Sequence, residues 1–164
     1  METMEARMVK LYARNNNHVA LHAIPGHFAT SHSHINFYID MTSLKTRANE
    51  AQEVAKSLAG DYVNSTVVDT IVCMDGTEVV GAYLAQEFEK RGFRNTNLHD
   101  TIYVVTPEYN ANNQLISRDN TIPAIKGKNV ILLLATTTTG LTVRRSLECV
   151  QYYGGTVHGI SSIF

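Results

Sequence analysis

Charge is scarce in this sequence. Lys, Arg, Asp and Glu make up 18% of the 164 residues, where a soluble domain usually carries about 25%. The 14 Lys and Arg nearly balance the 15 Asp and Glu, giving a formal net charge of −1. Lys/Arg clusters are also lacking, and nucleic-acid affinity comes largely from neutralised phosphates, so wrapping of nucleic acid is excluded. Cysteine is rare: Cys73 and Cys149 lie far apart and make no metal-like or redox spacing. No apolar run approaches the roughly 20 residues needed to cross a bilayer. The N-terminus, Met1-Glu2-Thr3-Met4-Glu5, is acidic and lacks the basic and apolar regions of a signal peptide. These absences predict a soluble, reduced, cytoplasmic protein with no nucleic-acid and no membrane partner.

What is present is an ordinary core. Hydrophobic residues are 44% of the chain, which rules out disorder, and the length suits one domain of roughly 100–200 residues. Strand-like segments occupy the first forty positions: Met8–Ala13, His18–Ile24 before a Pro25-Gly26 turn, and Asn36–Asp40. A helical stripe follows from Leu44 to Ala59, carried by Ala48, Ala51, Ala55 and Leu58, with Gly60 at the position of a C-terminal cap.

From there the chain alternates. Val67–Met74 reads as a buried strand, and Val80, Leu84 and Phe88 form a helix closed by Gly92. Thr101–Thr106 is a second strand, and Val130–Leu134 a third whose unbroken apolar run predicts a central position. Val143, Leu147 and Val150 mark a helix ended by Gly154-Gly155, before a last strand over Thr156–Phe164. This order predicts an α/β fold, a mainly parallel sheet with flanking helices behind a small N-terminal β subdomain. Residues 1–164 are read as one domain, 1–40 the β segment and 41–164 the α/β core. Pro107–Ala124, rich in Asn, has no periodicity and reads as a long loop of the functional kind. The chain stops on apolar Ile163-Phe164, so a further C-terminal element is expected.

Ligands of open parallel sheets bind beyond the carboxyl ends of the strands, which singles out two strand-to-helix turns. One is Cys73-Met74-Asp75-Gly76-Thr77-Glu78 and the other Ala135-Thr136-Thr137-Thr138-Thr139-Gly140-Leu141-Thr142. Hydroxyls, a glycine and free helix-terminal N–H groups suit a phosphate. The competing reading is that Thr138–Thr142 simply caps its helix, since Thr is a common N-cap. No Walker loop and no G-x-G-x-x-G is present.

Lys128–Phe164 resembles the type I phosphoribosyltransferases, and among them the orotate phosphoribosyltransferases. Val130–Leu133 match the family's apolar strand, and Thr138-Thr139-Gly140-Leu141-Thr142 its phosphate loop. Ser31-His32-Ser33-His34-Ile35-Asn36-Phe37-Tyr38-Ile39-Asp40 is similar to the N-terminal segment that shapes the orotate pocket, and Asp69–Ala85 to the pyrophosphate-loop strand and helix. The resemblance implies the type I phosphoribosyltransferase fold, related to the Rossmann arrangement. It also implies binding of phosphoribosyl pyrophosphate or a nucleotide monophosphate, Mg²⁺, a homodimer, and transfer of phosphoribose to orotate in pyrimidine synthesis. Thr137, Thr138, Thr139, Gly140, Leu141 and Thr142 would hold the 5-phosphate. Asp75, Gly76, Thr77 and Glu78 would face pyrophosphate, and His34, Phe37 and Tyr38 the base.

The departures are specific. The family's ribose-binding acidic pair falls on Leu134 and Ala135, whose side chains accept no hydrogen bond. Its Gly-Gly at the pyrophosphate turn becomes Thr77-Glu78, and a carboxylate there repels pyrophosphate unless Mg²⁺ lies between them. The hood stretch Thr106–Asn113 contains no cation, and the family's N-terminal Lys aligns with His34. The arginine that reads the orotate carboxylate would lie beyond Phe164. Transfer passes through an oxocarbenium-like centre, and loss of one electrostatic stabiliser costs about 10²–10³ in rate in other enzymes. The alternative is therefore a catalytically degenerate regulatory module that binds nucleotide or phosphate on the same fold.

His27, His32 and His34 suggest a metal cluster, since His32 and His34 would share one face of a strand. No third ligand can be fixed. His34 is therefore placed in the substrate pocket and the others at the surface, with no metal assigned to them. Cys73 and Cys149 read as small buried hydrophobes. Arg144 and Arg145 read equally well as supports for an anion or as solvated helix-surface charges.

Overall fold

The computed structural model describes residues 3–29, 33–62, 67–90 and 101–164. Four parallel strands form the central sheet: β4 (Thr70–Cys73), β5 (Tyr103–Val105), β8 (Asn129–Leu134) and β9 (Thr156–Ser162), in the order β5-β4-β8-β9. The interior strands β4 and β8 are the two solid apolar runs. Burial on both faces removes the polar alternation that an exposed sheet face would need.

Successive side chains then divide between two layers. Ile71, Cys73, Ile131 and Leu133 join Ala51, Val54 and Ala55 of α2 (Ala48–Ala59) and Val80, Leu84 and Phe88 of α3 (Glu78–Lys90). Val72, Val130, Leu132 and Leu134 point the other way, toward Cys149 and Val150 of α4 (Leu141–Tyr152). Register between the interior strands is pinned at their start. The Asp69 carboxylate, fully buried, accepts the Asn129 backbone N–H at 2.8 Å and its side-chain amide at 2.9 Å. Such charge-assisted bonds stabilise by about 1.5–3 kcal/mol each.

The N-terminal sheet is antiparallel, β1 (Val9–Tyr12), β2 (Ala20–Ala29) and β3 (His34–Asp40) in that order. Buried Val19, with Ala13, Leu21 and Ile39, packs it against the first core layer.

Four local expectations are corrected. Pro25-Gly26 is not a turn, because β2 runs through it. Its register against β3 slips between Pro25 and Phe28, a bulge that accommodates a residue without an N–H. The stripe from Leu44 to Ala59 is two helices, α1 (Thr42–Thr46) and α2, separated by Arg47 in extended backbone (φ −91°, ψ 118°). Gly60 is right-handed (φ −58°) and continues into a 3₁₀ turn over Gly60–Tyr62 rather than making a left-handed cap. Pro107–Ala124 is not structureless. It holds a short hairpin, β6 (Glu108–Tyr109) with β7 (Leu115–Ile116), and a 3₁₀ turn at Ile122–Ala124. Asn110 builds the hairpin turn, its side-chain oxygen accepting the N–H groups of Asn112 and Gln114 at 2.9 Å each. Ser31, His32 and Gly92 lie outside the described residues.

Candidate functional site

β4 and β8 are neighbours with Cys73 opposite Leu133, so the turns that follow them emerge side by side at one edge of the sheet. Thr77 ties them together. Its buried hydroxyl lies 2.8 Å from the Met74 carbonyl and 3.1 Å from that of Leu133, and the Met74 N–H donates to the same Leu133 carbonyl at 2.8 Å. Thr77 is thus a structural link between the two turns, its hydroxyl engaged by backbone carbonyls.

The first turn needs left-handed backbone at consecutive residues, Asp75 (φ 58°) and Gly76 (φ 77°). Glycine adopts this freely and Asp is among the side chains that tolerate it. Lys45, from α1, donates from Nζ to the Asp75 carbonyl at 2.8 Å. Partial burial pushes the Asp75 carboxyl above its ordinary range, and the Lys45 charge opposes that rise. Glu78 accepts the Thr106 hydroxyl at 3.1 Å, tying this turn to the residue that precedes the hairpin.

The second turn ends on Gly140 in left-handed backbone (φ 77°), the residue before α4, and no side chain caps that helix. The capping role weighed for the Thr run is therefore not what its hydroxyls do. The first intrahelical bond runs from the Arg144 N–H to the Gly140 carbonyl at 2.9 Å. It leaves the amides of Leu141, Thr142 and Val143 at the positive end of the helix macrodipole. The Thr137 N–H is spent on the Phe164 carbonyl at 2.9 Å, which holds the base of the loop to the end of the chain. Ser146 anchors the first helical turn, its hydroxyl donating to the Thr142 carbonyl at 2.8 Å.

Asp75 and residues Thr136–Val143 line one cavity of about 150 Å³. The structure thus gathers all six residues of the expected phosphate set, but only Asp75 of the expected pyrophosphate set, around a single space. His34, Phe37 and Tyr38 lie on β3 in the other sheet and do not line it. Phe37 and Tyr38 are 54% and 46% exposed, and Tyr38 packs on Phe28 with ring centroids 5.7 Å apart. His34 is hydrogen-bonded to His27, and both residues are exposed, so His27 is at the surface as expected. Leu134 and Ala135 are buried at 0% and 3% exposure, in opposite core layers, so this end of β8 is held by packing.

Lys45 is the site residue that sequence reasoning missed. It stands 30 positions before Asp75, and only the turn of α1 against the core brings them together. Arg118, just beyond the hairpin, does not supply a free cation, being paired with Glu108 at 2.5 Å.

A four-stranded parallel sheet flanked by helices, with a threonine-glycine turn opening a helix at its carboxyl edge, belongs to the α/β class. Among solved structures this architecture is the phosphoribosyltransferase fold. The chain aligns with the orotate phosphoribosyltransferase of Mycobacterium tuberculosis H37Rv at a TM-score of 0.58 and 15% identity, covering 87% of this chain and 76% of that one. It aligns with the UMP synthase of Leishmania donovani at 0.62 and 18%, covering 85% of this chain and 28% of that one. The adenine phosphoribosyltransferase of Leishmania donovani matches at 0.57 and 18%, covering 87% and 63%. The Mycobacterium protein has been solved in complex with inorganic phosphate and with phosphoribosyl pyrophosphate. No protein-family pattern and no curated protein sequence matches the chain. Among the described residues, no helix is long and apolar enough to cross a membrane.

Proposed function

We propose that this protein binds the 5-phosphate of a phosphorylated ribose, in phosphoribosyl pyrophosphate or a nucleotide monophosphate, between the two turns. The observation that carries this is the uncapped α4 N-terminus behind left-handed Gly140, with Thr138, Thr139 and Thr142 around the same cavity. Amides at a helix start and nearby hydroxyls together supply donors to the phosphate oxygens, and the macrodipole favours their charge.

On this reading the chain is a binding or regulatory relative of the transferases. Leu134 and Ala135 offer nothing to ribose hydroxyls. Mg²⁺ usually keeps several waters and takes one or two carboxylates plus substrate phosphates. Asp75, exposed at the cavity, fits an ion that arrives with pyrophosphate, and Asp75 would hold it. When bound, that ion would neutralise phosphate charge. Among the described residues no group of three or more His, Cys, Asp and Glu side chains is gathered for a metal ion.

A second reading, transfer of phosphoribose to orotate by a homodimer, is favoured by one observation. Lys45 places a cation beside the pyrophosphate turn, where a leaving pyrophosphate would need one. Calorimetry with phosphoribosyl pyrophosphate, orotidine monophosphate and orotate, with and without Mg²⁺ and alongside a turnover assay, separates the two. Binding of phosphorylated ribose without turnover supports the first reading. Orotidine monophosphate formation at an enzymic rate establishes the second.

A further inference from the structure

His27 and His34 come together on the N-terminal sheet because of the bulge in β2. Pro25 faces Phe37 and Phe28 faces Ile35, so two residues, Gly26 and His27, share the space opposite Asn36. Ala29 pairs directly with His34, and His27 lies two positions before Ala29 on the same face. The two imidazoles are therefore diagonal neighbours across the strand pair, within reach of each other. Their ring centroids are 4.9 Å apart, and His27 Nε2 lies 2.7 Å from His34 Nδ1.

Each ring thus turns one nitrogen toward the other at the exposed edge of the molecule. In a hydrogen bond, one nitrogen carries the proton and the other presents its lone pair. The same two nitrogens can both present lone pairs to a metal ion. With Zn–N bonds of about 2.0–2.1 Å in tetrahedral geometry, two ligand nitrogens stand about 3.3 Å apart. The observed separation needs to open by only about 0.6 Å, which small side-chain rotations supply for two exposed rings.

We propose that His27 and His34 form a two-histidine site for a borderline divalent transition-metal ion such as Zn²⁺ or Cu²⁺, completed by water or an exogenous ligand. Imidazole pairs suit these ions and not Mg²⁺, which demands oxygen ligands. The site lies on a different sheet from the phosphate cavity, so it stands or falls independently of the function proposed above.

The test is calorimetric titration of the full chain with Zn²⁺ alone, repeated for His27→Ala, His34→Ala and, as a control, His158→Ala. Loss even of a group that merely orients a ligand costs about 10–100-fold in metal affinity, and loss of a ligand should cost at least as much. The expected result is one equivalent bound by the wild type and by His158→Ala, weakened at least 10-fold in each of the other two variants. A second measurement needs no substitution: Zn²⁺ should shift the ring resonances of both His27 and His34 in the NMR spectrum of the wild-type chain. Absence of one-equivalent binding, its survival in His27→Ala and His34→Ala, or ring resonances that do not move would each overturn the proposal.

Discussion

Replacing Gly140 by Ala isolates the backbone requirement of the threonine-glycine turn proposed to hold phosphate. A Cβ at this position would meet nothing within 4 Å, so the substitution brings no clash. Its whole cost comes from the left-handed φ of 77°, which an L side chain disfavours by roughly 1–2 kcal/mol. If the turn must hold this conformation to bind, the same energy reduces the competent population. Apparent affinity for ribose 5-phosphate should then weaken about 5- to 30-fold. Gly127 provides the control. It is also left-handed (φ 71°) with open space around it, but it precedes β8 at the opposite end of the strand. Gly127→Ala should lower unfolding stability by a similar amount and leave binding unchanged. Urea unfolding and calorimetry on both variants measure the two quantities separately. Equal affinity losses in the two variants, or none in Gly140→Ala, would refute the reasoning.

Thr77→Val keeps the shape of the side chain but removes the hydroxyl that links the two turns. It removes the single hydroxyl proton that the Met74 and Leu133 carbonyls share, the second of which keeps the Met74 N–H, so urea unfolding should show a loss of about 1–3 kcal/mol. Lys45→Met removes the cation beside Asp75. Calorimetry should show weaker binding of phosphoribosyl pyrophosphate with little change for a nucleotide monophosphate, and equal losses for both would count against its placement. Gly81→Ala would bring a Cβ to 2.3 Å from Cys73 Sγ, and this overpacking between α3 and β4 should destabilise by about 1–3 kcal/mol on urea unfolding. Burial pushes the Cys73 thiol from the ordinary 9.0 to about 12. Between those values the unfolded chain loses the proton first, so the stability present below pH 9.0 falls as pH rises toward about 12. Iodoacetamide should accordingly leave Cys73 unmodified in the folded chain at mildly alkaline pH and label it in urea.

How much was legible depended on whether the deciding contact was local. Val130–Leu134 read as a central strand because burial on both faces leaves a solid apolar run, and the structure buries all five. Val80, Leu84 and Phe88 read as a helix face for the same reason, since all three reach the core. The break at Arg47 escaped the pattern because the alanine stripe resumes immediately beyond it. Pro25-Gly26 carries the residues of a turn, yet a strand with a bulge satisfies them too, and cross-strand pairing decides between the two. The hairpin at Glu108–Ile116 has strands of two residues, too short to show a period.

The site divided in the same way. The Thr-Gly turn is contiguous in sequence and was visible there. The contact of Lys45 with Asp75 was not visible, and the histidines could be grouped but the direct pairing of His27 with His34 could not, because each contact depends on neighbouring elements coming together. His34 illustrates the difference: its alignment suggested a pocket cation, while the bulge gives it a histidine partner.

Titration of the ¹⁵N-labelled chain with ribose 5-phosphate tests the central claim most directly. The largest amide shifts are expected on Thr138–Val143 and on Asp75. A different outcome would place them around the larger cavity of about 630 Å³ between the hairpin and α4, lined in part by Asn112, Arg145 and Tyr152. Shifts concentrated there, with the amides of Leu141, Thr142 and Val143 unmoved, would contradict it.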